Sequence, residues 1–481
     1  MAISNPSSVV VGIDLGTTKV KVIAFDPALG RVVASAESEY VTVVTPDGGS
    51  EQNPEDWWAA VGATCRELFE DVRPGSVQAV GLSGHMHGLL LLDDALAPVR
   101  PAMTWSDRRV SAFSAELRTH SRFRELGGND VVDAFTAPKL AWLAATDPGA
   151  VARARHLVLA KDYLALKLTG QLGTDITDAI GTLLWDVDRG RWDDDLFSLC
   201  NATSRIAPSV MDSSGVRGAV TAEAARDTGL VVGTPVVAGA GDVSAVALGS
   251  GLVDSTLICL NAGTAAQALG SIGTLNPGNG FLFGNALGRG YLAMSSVYAA
   301  GASVRWAQSV LFPSQSIESL ASQSEPGAEG LSYLPFMFGA VVPRKNDSAR
   351  AAFVGQTGSH DAGHLAAAVL EGVAFACADA VEAVAQLTER PKRVHVVGGV
   401  ANSSIWQSAL SSVLDVPVLR LPEGGSALGA ALLAAIGAGI STQEDVLTAV
   451  NRQELVPPPP AVVEMYRDAR ARFTSARDLL V

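Results

Sequence analysis

The sequence has few of the residues that cross-link small secreted proteins or bind structural metals. It contains four cysteines among 481 residues. These cysteines lie far apart, without C-x-x-C spacing and without a histidine cluster beside them: Cys65, Cys200, Cys259 and Cys377. The pattern indicates neither a disulfide framework nor a zinc site. We therefore expect reduced, mostly buried thiols.

Charged residues are also scarce, at 17% of the chain, and they leave a net charge of -14. No run of Lys or Arg is long enough to follow a phosphate backbone, so nucleic acid is not an expected partner. An acidic protein that binds an acidic ligand has to supply backbone N–H groups and a divalent cation at the binding site itself.

Long hydrophobic runs are missing as well. The apolar stretch from Ser426 to Ile440 is shorter than the roughly 20 residues that span a bilayer. Residues 1–8 have neither the basic segment nor the apolar core of a signal peptide. Apolar residues nevertheless make up 48% of the chain, which is enough for a large core. We expect a globular cytoplasmic protein without a membrane partner.

Two common nucleotide-binding motifs are absent from the sequence. It contains no G-x-x-x-x-G-K-[ST] string, which excludes a P-loop. No G-x-G-x-x-G follows the first predicted strand, which disfavours a dinucleotide-binding fold.

What the sequence does contain is a repeated hairpin pattern. Apolar runs flank Gly16-Thr17-Thr18 in residues 9–25, and similar runs flank Gly263-Thr264 in residues 256–266. A glycine that can adopt a positive φ, followed by small hydroxyl residues, predicts a tip whose backbone N–H groups bind an anion. Two such tips can bind one polyphosphate. Asp14 ends the first buried run, where a carboxylate needs a cation such as hydrated Mg2+.

The rest of the chain alternates predicted strands with helices, which indicates an α/β fold. The run 77–83 predicts a buried strand that leads into His85-Met86-His87, and the run 235–238 leads towards Asp242. Residues 133–199 are interpreted mainly as helices and connecting loops. We predict two domains, 1–250 and 251–481.

Six strings in order extend this pattern over nearly the whole chain: 84–93, 100–109, 135–140, 161–164, 175–182 and 426–431. With the hairpins, they resemble the FGGY family of carbohydrate kinases, and within it the xylulokinases. The resemblance implies two ribonuclease H-like domains of the actin and hexokinase superfamily, with an ATP- and sugar-binding cleft between them. The first domain would be the sugar-binding FGGY domain and the second the nucleotide-binding one.

The resemblance also implies roles for individual residues. Asp242 matches the catalytic base of the family, and Asp14 matches the acidic residue near Mg2+ and the phosphates. Residues that match nucleotide-binding positions are Gly16, Thr17, Thr18, Lys21, Gly263, Thr264, Gly301, Gly399 and Asn402. Residues that match or extend the sugar-binding set are Met86, His87, Trp105, Asp107 and Asp242.

The implied reaction is ATP-dependent, Mg2+-assisted phosphorylation of a ketopentose, D-xylulose, to D-xylulose 5-phosphate. Many relatives form homodimers, which makes a homodimer the expected assembly. Three departures leave the acceptor open. Val243 stands where xylulokinases have a sugar-binding Asn after the catalytic Asp, and His85 replaces a usual Gln. The string 339–343 lacks the family's Glu-Arg pair. Another ketose or polyol, such as ribulose, is the alternative acceptor, and a non-catalytic nucleotide-binding relative is a further alternative.

Each candidate residue also has a purely structural interpretation. The hairpins can be ordinary turns, and Asp242 can be a helix N-cap. His87 can be a core histidine bonded to the backbone, and Trp105 can be a core residue. Asp107 can form a surface ion pair with the adjacent arginines. Further structural interpretations concern the tract 427–435, as a tightly packed helix, and Gly398-Gly399, as a strand-to-helix turn.

Overall fold

The computed structural model describes residues 8–288, 290–389, 391–448 and 452–480. The chain forms two compact units. The first comprises Met1–Gly249, Leu282–Tyr291 and Gly425–Val450; the second comprises Ser250–Phe281, Leu292–Gly424 and Asn451–Val481. Each unit is therefore built from three segments, whereas the sequence-based division used two continuous ranges.

Sixteen strands precede residue 250 within the described part of the chain. They are β1 (Val9–Leu15), β2 (Lys19–Asp26), β3 (Arg31–Glu39), β4 (Val43–Val44), β5 (Ser50–Gln52), β6 (Val77–Gly84), β7 (Leu90–Leu92), β8 (Ala102–Met103), β9 (His156–Val158), β10 (Thr174–Asp175), β11 (Trp185–Asp186), β12 (Arg191–Trp192), β13 (Val210–Met211), β14 (Val216–Ala219), β15 (Pro235–Val237) and β16 (Ala240–Gly241). The later strands are β17 (Leu257–Ala262), β18 (Ala266–Ile272), β19 (Phe281–Gly284), β20 (Tyr291–Val297), β21 (Ser332–Leu334), β22 (Ala352–Val354), β23 (Arg393–Val397), β24 (Val418–Arg420) and β25 (Gln453–Glu454).

The α-helices that begin before residue 250 are α1 (Pro54–Asp71), α2 (Ser111–Leu117), α3 (Arg122–Gly127), α4 (Thr136–Thr146), α5 (Pro148–Arg153), α6 (Ala160–Thr169), α7 (Ile176–Gly181), α8 (Asp194–Leu199), α9 (Ala222–Thr228) and α10 (Asp242–Gly249). The later α-helices are α11 (Gly301–Trp306), α12 (Ile317–Ala321), α13 (Ala362–Ala385), α14 (Ser404–Val413), α15 (Ser426–Gly437), α16 (Gln443–Thr448) and α17 (Pro460–Leu480).

Local sequence accounts for several helix ends. Asn53 accepts a hydrogen bond from the Glu55 N–H at the start of α1, where Pro54 occupies the first helical position. Gly170 ends α6 in the left-handed conformation, with φ 71°, which a residue without Cβ adopts at little cost.

The first unit is organised around a mixed sheet in the order β14-β15-β6-β1-β2-β3, with β16 also paired to β6. β1, β2 and β3 form an antiparallel meander. β6 runs parallel to β1, β15 and β16. The strands β1, β2 and β6 pack with α1 and α6 in one apolar core, while α15 lies against β1 and β6.

The second seven-stranded sheet has the order β19-β20-β18-β17-β23-β24-β25. β17 forms an antiparallel hairpin with β18 and runs parallel to β23. This repeats the pattern of the first sheet, where β1 pairs antiparallel with β2 and parallel with β6. The long helix α13 packs on this sheet in the main core of the second unit.

The predicted α/β fold with two units is confirmed. Residues 133–199 consist mainly of helices and connecting loops, as predicted, with the short strands β9 to β12 between them. One detail of the prediction is wrong. Gly16 and Gly263 do not have positive φ angles, since neither is among the residues in that region. All four cysteines are free and buried, as expected. None of the helices in the described ranges has the length and apolar character needed to cross a membrane.

Candidate active site

The candidate site of the first unit lies at the carboxyl edge of its sheet. β1, β6 and β16 are parallel neighbours, so their carboxyl ends meet at one edge, where α/β proteins commonly bind ligands. Asp14 is the penultimate residue of β1, residues 85–87 follow β6, and Asp242 follows β16. The topology thus brings together two carboxylates and the Met86-His87 pair, which are far apart in sequence.

Asp14 has one carboxylate oxygen bonded and one free among the described residues. The Ser426 hydroxyl donates to its Oδ2, while its Oδ1 is buried without a hydrogen-bond partner. Burial raises the pKa of Asp14, although the Ser426 hydrogen bond and the charge of Lys21 oppose the rise. A buried carboxylate oxygen without a donor fits a divalent cation, which prefers oxygen ligands.

Asp242 is the first residue of α10, and its Oδ1 accepts a hydrogen bond of 2.9 Å from the Val243 N–H. This adjacent amide is not the N2 or N3 amide that an N-cap residue ordinarily bonds. Burial raises the pKa of Asp242 to about 7, and the negative charge of Asp14 adds to the rise. A carboxyl group with this pKa can accept a proton at neutral pH.

Met86 and His87 lie between the two carboxylates in the strand order. Met86 is 2% exposed, and a Cβ at Gly241 would lie 2.5 Å from its Sδ, so Met86 packs directly against the Gly241 backbone. His87 has a φ of 68°, a strained conformation for a residue with a side chain. Its Nδ1 lies 2.7 Å from the Gly181 carbonyl oxygen, and its ring packs edge-on against Phe135, with centroids 4.8 Å apart.

The environment of His87 has features of both interpretations made from the sequence, the core histidine and the sugar-binding residue. The backbone hydrogen bond expected for a core histidine is present, yet the side chain is only half-buried. Burial lowers the pKa of His87 to about 4, so the ring is neutral at pH 7 and has one donor and one acceptor nitrogen. A neutral imidazole at this edge can hydrogen-bond a sugar hydroxyl.

Two of the three departures from the xylulokinase pattern, His85 and Val243, are buried. His85 is 2% exposed and packs edge-on against Trp57 in the core, with ring centroids 5.5 Å apart. Burial lowers the pKa of His85 to about 4, and neither ring nitrogen has a hydrogen-bond partner among the described residues. Val243 directly follows Asp242 and is 7% exposed.

The first hairpin directs its carbonyl groups towards the protein. The Gln52 amide donates to the Thr17 carbonyl at 2.6 Å, and the Tyr40 N–H donates to the Thr18 carbonyl at 3.1 Å. In a trans peptide the next N–H points away from the carbonyl. The amides of Thr18 and Lys19 therefore point away from these donors, which suits an anion.

Gly16 and Lys21 complete the predicted set on this hairpin. The Gly16 N–H donates to the Lys19 carbonyl at 2.9 Å and closes the turn. The carbonyl of Gly16 accepts from the Tyr40 hydroxyl. Lys21 is exposed on β2, opposite Asp14 in the strand register.

Trp105 and Asp107 occupy different environments. Trp105 is 41% exposed, and its Nε1–H donates to Thr17 Oγ1 at 3.0 Å, so the core interpretation of Trp105 is wrong. Asp107 is fully buried. Its oxygens accept hydrogen bonds from the Ser50 N–H and the Arg109 guanidinium. The ion pair expected for Asp107 exists, but it is buried rather than at the surface.

The second hairpin is braced in a similar way by α11. The Gly301 N–H donates to the Gly263 carbonyl and the Ala302 N–H to the Thr264 carbonyl, both at 3.0 Å. The Thr264 hydroxyl accepts from the exposed guanidinium of Arg305 at 3.0 Å. The hairpin amides that follow these carbonyls point away from α11, and Arg305 adds a positive charge beside the tip.

Gly398, Gly399 and Asn402 follow β23 in the second unit. Gly398 has a φ of 99°, and a Cβ there would lie 2.5 Å from the Ala262 carbonyl oxygen; it makes the strand-to-helix turn. Gly399 has open space where a Cβ would lie. Asn402 is exposed, and its side-chain oxygen accepts from Arg420. The structure thus places Gly263, Thr264, Gly301, Gly399 and Asn402 within one unit.

Sequence reasoning assigned no role to several residues that support the site. Ser426 bonds Asp14, Gln52 bonds the first hairpin, and the Thr177 hydroxyl bonds the Gly241 amide next to Asp242. Ser426 and Thr177 lie within strings that carry the family resemblance. Their chemical partners are distant in sequence, so no local pattern could identify the contacts.

Comparison with protein families divides the chain into two continuous ranges. Residues 9–249 match the N-terminal domain of the FGGY family of carbohydrate kinases, and residues 261–438 match its C-terminal domain. This chain belongs to the FGGY family of carbohydrate kinases. FGGY kinases use ATP with a divalent metal ion.

Individual relatives agree with this FGGY assignment. The chain is 35% identical to a xylulose kinase of Escherichia coli, over 89% of this chain and 90% of that protein. It is 31% identical to a xylulose kinase of Bacillus subtilis, over 89% and 88%. Its fold is similar to the crystal structure of a xylulose kinase from Rhodospirillum rubrum, with a TM-score of 0.88, 30% identity and coverage of 98% and 99%.

Proposed function

We propose that this FGGY kinase transfers the γ-phosphate of ATP to a ketopentose, with D-xylulose as acceptor and D-xylulose 5-phosphate and ADP as products. The observation that carries the proposal is the placement of Asp14, Met86-His87 and Asp242 at the carboxyl ends of three adjacent parallel strands. The similarity to xylulose kinases over about nine-tenths of the chain supports this acceptor.

Asp242 is proposed as the general base. Its carboxylate takes the proton of the 5-hydroxyl while the oxygen forms a bond to the γ-phosphorus, and the bond from that phosphorus to the β,γ-bridging oxygen breaks to release ADP. With a pKa of about 7, the Asp242 carboxylate can accept this proton at neutral pH. In phosphoryl transfer, positioning and charge neutralisation supply most of the rate.

The two hairpins are proposed to bind the phosphates of ATP. The first tip, with Thr17 and Thr18, and the Gly263-Thr264 tip present the amides that follow their bonded carbonyls, and such amides are suited to phosphate oxygens. Gly16 closes the first turn and Lys21 adds charge. Asp14 would hold Mg2+ through its unpartnered Oδ1, and the ion would neutralise phosphate charge. The remaining nucleotide positions, proposed from the family resemblance, are Gly301, Gly399 and Asn402.

Met86 and His87 are proposed to contact the sugar, with the exposed ring of Trp105 as a further apolar wall. Aromatic and thioether surfaces suit the C–H faces of a sugar, and polar groups orient its hydroxyls. Asp107 acts in this proposal through its buried ion pair with Arg109, because its oxygens already accept protein hydrogen bonds.

A second candidate keeps the reaction and changes the acceptor to another ketose or a polyol such as ribulose. Val243 favours this candidate, because an apolar side chain beside Asp242 leaves one sugar hydroxyl without the amide partner expected in xylulokinases. An unpaired hydroxyl costs about 1–3 kcal/mol, which is enough to change the preferred acceptor.

Coupled measurement of ADP release with purified enzyme tests the proposal. We expect sugar-dependent turnover, with the highest kcat/KM for D-xylulose among pentuloses, hexuloses, pentitols and glycerol. Asp242→Asn should abolish turnover while ATP still binds. A higher kcat/KM for another acceptor would support the second candidate. ATP binding without any acceptor-stimulated release of ADP would instead support a nucleotide-binding protein without kinase activity. Normal turnover of Asp242→Asn would refute the base assignment.

Two further parts of the proposal concern the molecule in the cell. The expected cytoplasmic location is supported by the substrates of the proposed reaction, since ATP and free ketoses are cytoplasmic metabolites. The homodimer expected from the family resemblance stays a prediction.

A further inference from the structure

Thr177, a residue without an assigned role, occupies a fixed position beside the residue before Asp242. Its hydroxyl accepts a hydrogen bond of 2.9 Å from the Gly241 N–H. The same hydroxyl donates to Asp175 Oδ2 at 2.7 Å. Thr177 and Asp175 are fully buried, so water does not compete for these bonds.

Two neighbours hold the backbone around Asp242 besides Thr177: β6, which pairs with β16, and α15, against which α10 packs. β16 consists of only two residues, and it follows Gly239, which has a φ of 76°. A larger residue at Gly241 would have to displace the Met86 side chain. Glycine has the largest backbone freedom of any residue, and therefore the side-chain hydrogen bond at the Gly241 amide adds a restraint immediately before Asp242, where the chain passes from the strand into α10.

The Asp175 carboxylate accepts from four further donors besides the Thr177 hydroxyl. Its Oδ2 accepts from Ser213 Oγ at 2.6 Å and from the Thr177 N–H at 2.9 Å. Its Oδ1 accepts from the Asp178 N–H at 3.3 Å and pairs with Lys161 Nζ at 2.9 Å. With both oxygens occupied, the carboxylate has one orientation, and the Thr177 hydroxyl must give its proton to Asp175 and its lone pair to Gly241.

Lys161 connects this arrangement to two further carboxylates. Its Nζ lies 2.6 Å from Asp162 and 3.2 Å from Asp178, and all three side chains are at most 2% exposed. A buried charge cluster of this kind is costly to disrupt and is rigid once formed. The chain of contacts runs from Lys161 through Asp175 and Thr177 to the Gly241 amide.

We infer that Thr177 is a positioning residue for phosphoryl transfer: with Asp175 and Lys161 behind it, its hydroxyl fixes the backbone at Gly241 and so aims the Asp242 carboxylate at the sugar hydroxyl. The inference rests on the proposed role of Asp242 as general base. Loss of the Thr177 hydroxyl should reduce kcat and spare ATP binding, because the hydroxyl bonds the Gly241 amide and Asp175 rather than either hairpin.

The test compares Thr177→Val with Thr228→Val. Thr228 is a matched control, since it is fully buried in the first unit, donates to the Ala224 carbonyl at 2.7 Å and accepts from the Leu230 N–H at 3.2 Å. Both variants lose one donated and one accepted hydrogen bond. Turnover is expressed per ADP-binding site, counted by calorimetry, so that unfolded protein does not contribute.

We expect Thr177→Val to lower kcat per site by about 10- to 100-fold, as misplacement of a reacting group does, with the KM for ATP unchanged. Thr177→Ser should retain kcat within about threefold, and Thr228→Val should do the same. If Thr177→Val does not fold, the Thr177→Ser and Thr177→Ala pair isolates the hydroxyl in the same assay, and Thr177→Ala should show the loss.

Wild-type kcat per site in Thr177→Val, or an equal loss in Thr228→Val, would overturn the inference. If Thr177→Val does not fold, equal kcat per site in the Ser and Ala variants would overturn it as well. Asp242→Asn in the same assay distinguishes failure of the positioning role of Thr177 from failure of the proposed base. If Asp242→Asn is inactive while the Thr177 variants are normal, the positioning role alone fails. If Asp242→Asn turns over normally, the proposed base is wrong and the role of Thr177 with it.

Discussion

At the scale of single residues, the candidate site depends on carboxylates kept in costly surroundings. Burial and the negative charge of Asp14 raise the pKa of Asp242 to about 7. Among the described residues, the buried Oδ1 of Asp14 has no hydrogen-bond partner. Such arrangements are destabilising unless a ligand or cation compensates. They also give Asp242, the proposed base, a proton affinity that suits neutral pH.

The raised pKa of Asp242 predicts that removing its charge stabilises the ligand-free protein. In the folded state the carboxyl group holds its proton up to about pH 7, whereas in the unfolded chain it loses it near pH 4. The stability that this proton contributes is fully present below pH 4 and is lost as the pH rises to 7. Asp242→Asn should therefore melt several degrees above wild type at pH 8, and the gap should narrow by pH 5.

Differential scanning calorimetry without nucleotide or metal measures this gap. Asp107→Asn is the control, because Asp107 is equally buried but forms an ion pair with Arg109 at 2.5 Å; its loss should lower the melting temperature. An Asp242→Asn variant that is less stable than wild type at pH 8 would contradict the raised pKa.

Residue-scale prediction from the sequence worked where chemistry is local and failed where partners are distant. The strand ends at Asp14 and Asp242 follow from buried runs. The burial of Asp107 could not be predicted from local sequence. Its second hydrogen-bond partner is the N–H of Ser50, which lies 57 positions earlier in the chain. The same distance hides the contact from Thr177 to Gly241, which spans 64 positions.

At the scale of elements, α15 packs more closely than side chains allow. A Cβ at Gly429 would lie 1.9 Å from the Ala245 carbonyl oxygen of α10, and a Cβ at Gly81 would lie 1.9 Å from the Ala430 carbonyl oxygen of α15. Helix and strand backbones therefore touch directly on two sides of α15. The tract 427–435 is the tightly packed helix that the sequence favoured.

Gly429→Ala should destabilise the protein by roughly 3 kcal/mol or more, since the added methyl group meets a backbone oxygen rather than a movable side chain. Chemical denaturation followed by tryptophan fluorescence measures the change. Gly75→Ala is the matched control, because a Cβ at Gly75 has nothing within 4 Å. Equal stability of the two variants would show that α15 can move away at little cost.

Helices and strands could be predicted where a hydrophobic pattern or a capping residue marks them in the sequence. The buried runs of β1 and β6 and the Asn53-Pro54 start of α1 are such signals. The partner of α15 was not predictable: residues 427–435 are buried on every side, so no polar face indicates which surface the helix covers. Glycine-mediated backbone contact leaves no hydrophobic periodicity in the sequence.

At the scale of the whole molecule, segments that are far apart in sequence belong to the same unit. Gly425–Val450 belongs to the first unit although it follows most of the second. Within that unit α15 covers β1 and β6 and carries the Ser426 that bonds Asp14. The first unit is therefore completed only after the segment that contains most of the second unit has been made.

This arrangement predicts that a fragment of residues 1–250 does not fold cooperatively. Without α15, the glycines of β1 and β6 lose the helix that covers them, and a buried apolar face of the sheet is exposed to water. A fragment in which residues 425–448 are joined to 1–250 by a flexible linker should regain a single melting transition, because the missing helix is restored. Circular dichroism melts of both fragments and the full chain provide the measurement. A sharp transition of the 1–250 fragment at the temperature of the joined fragment would show that α15 is dispensable for the first unit.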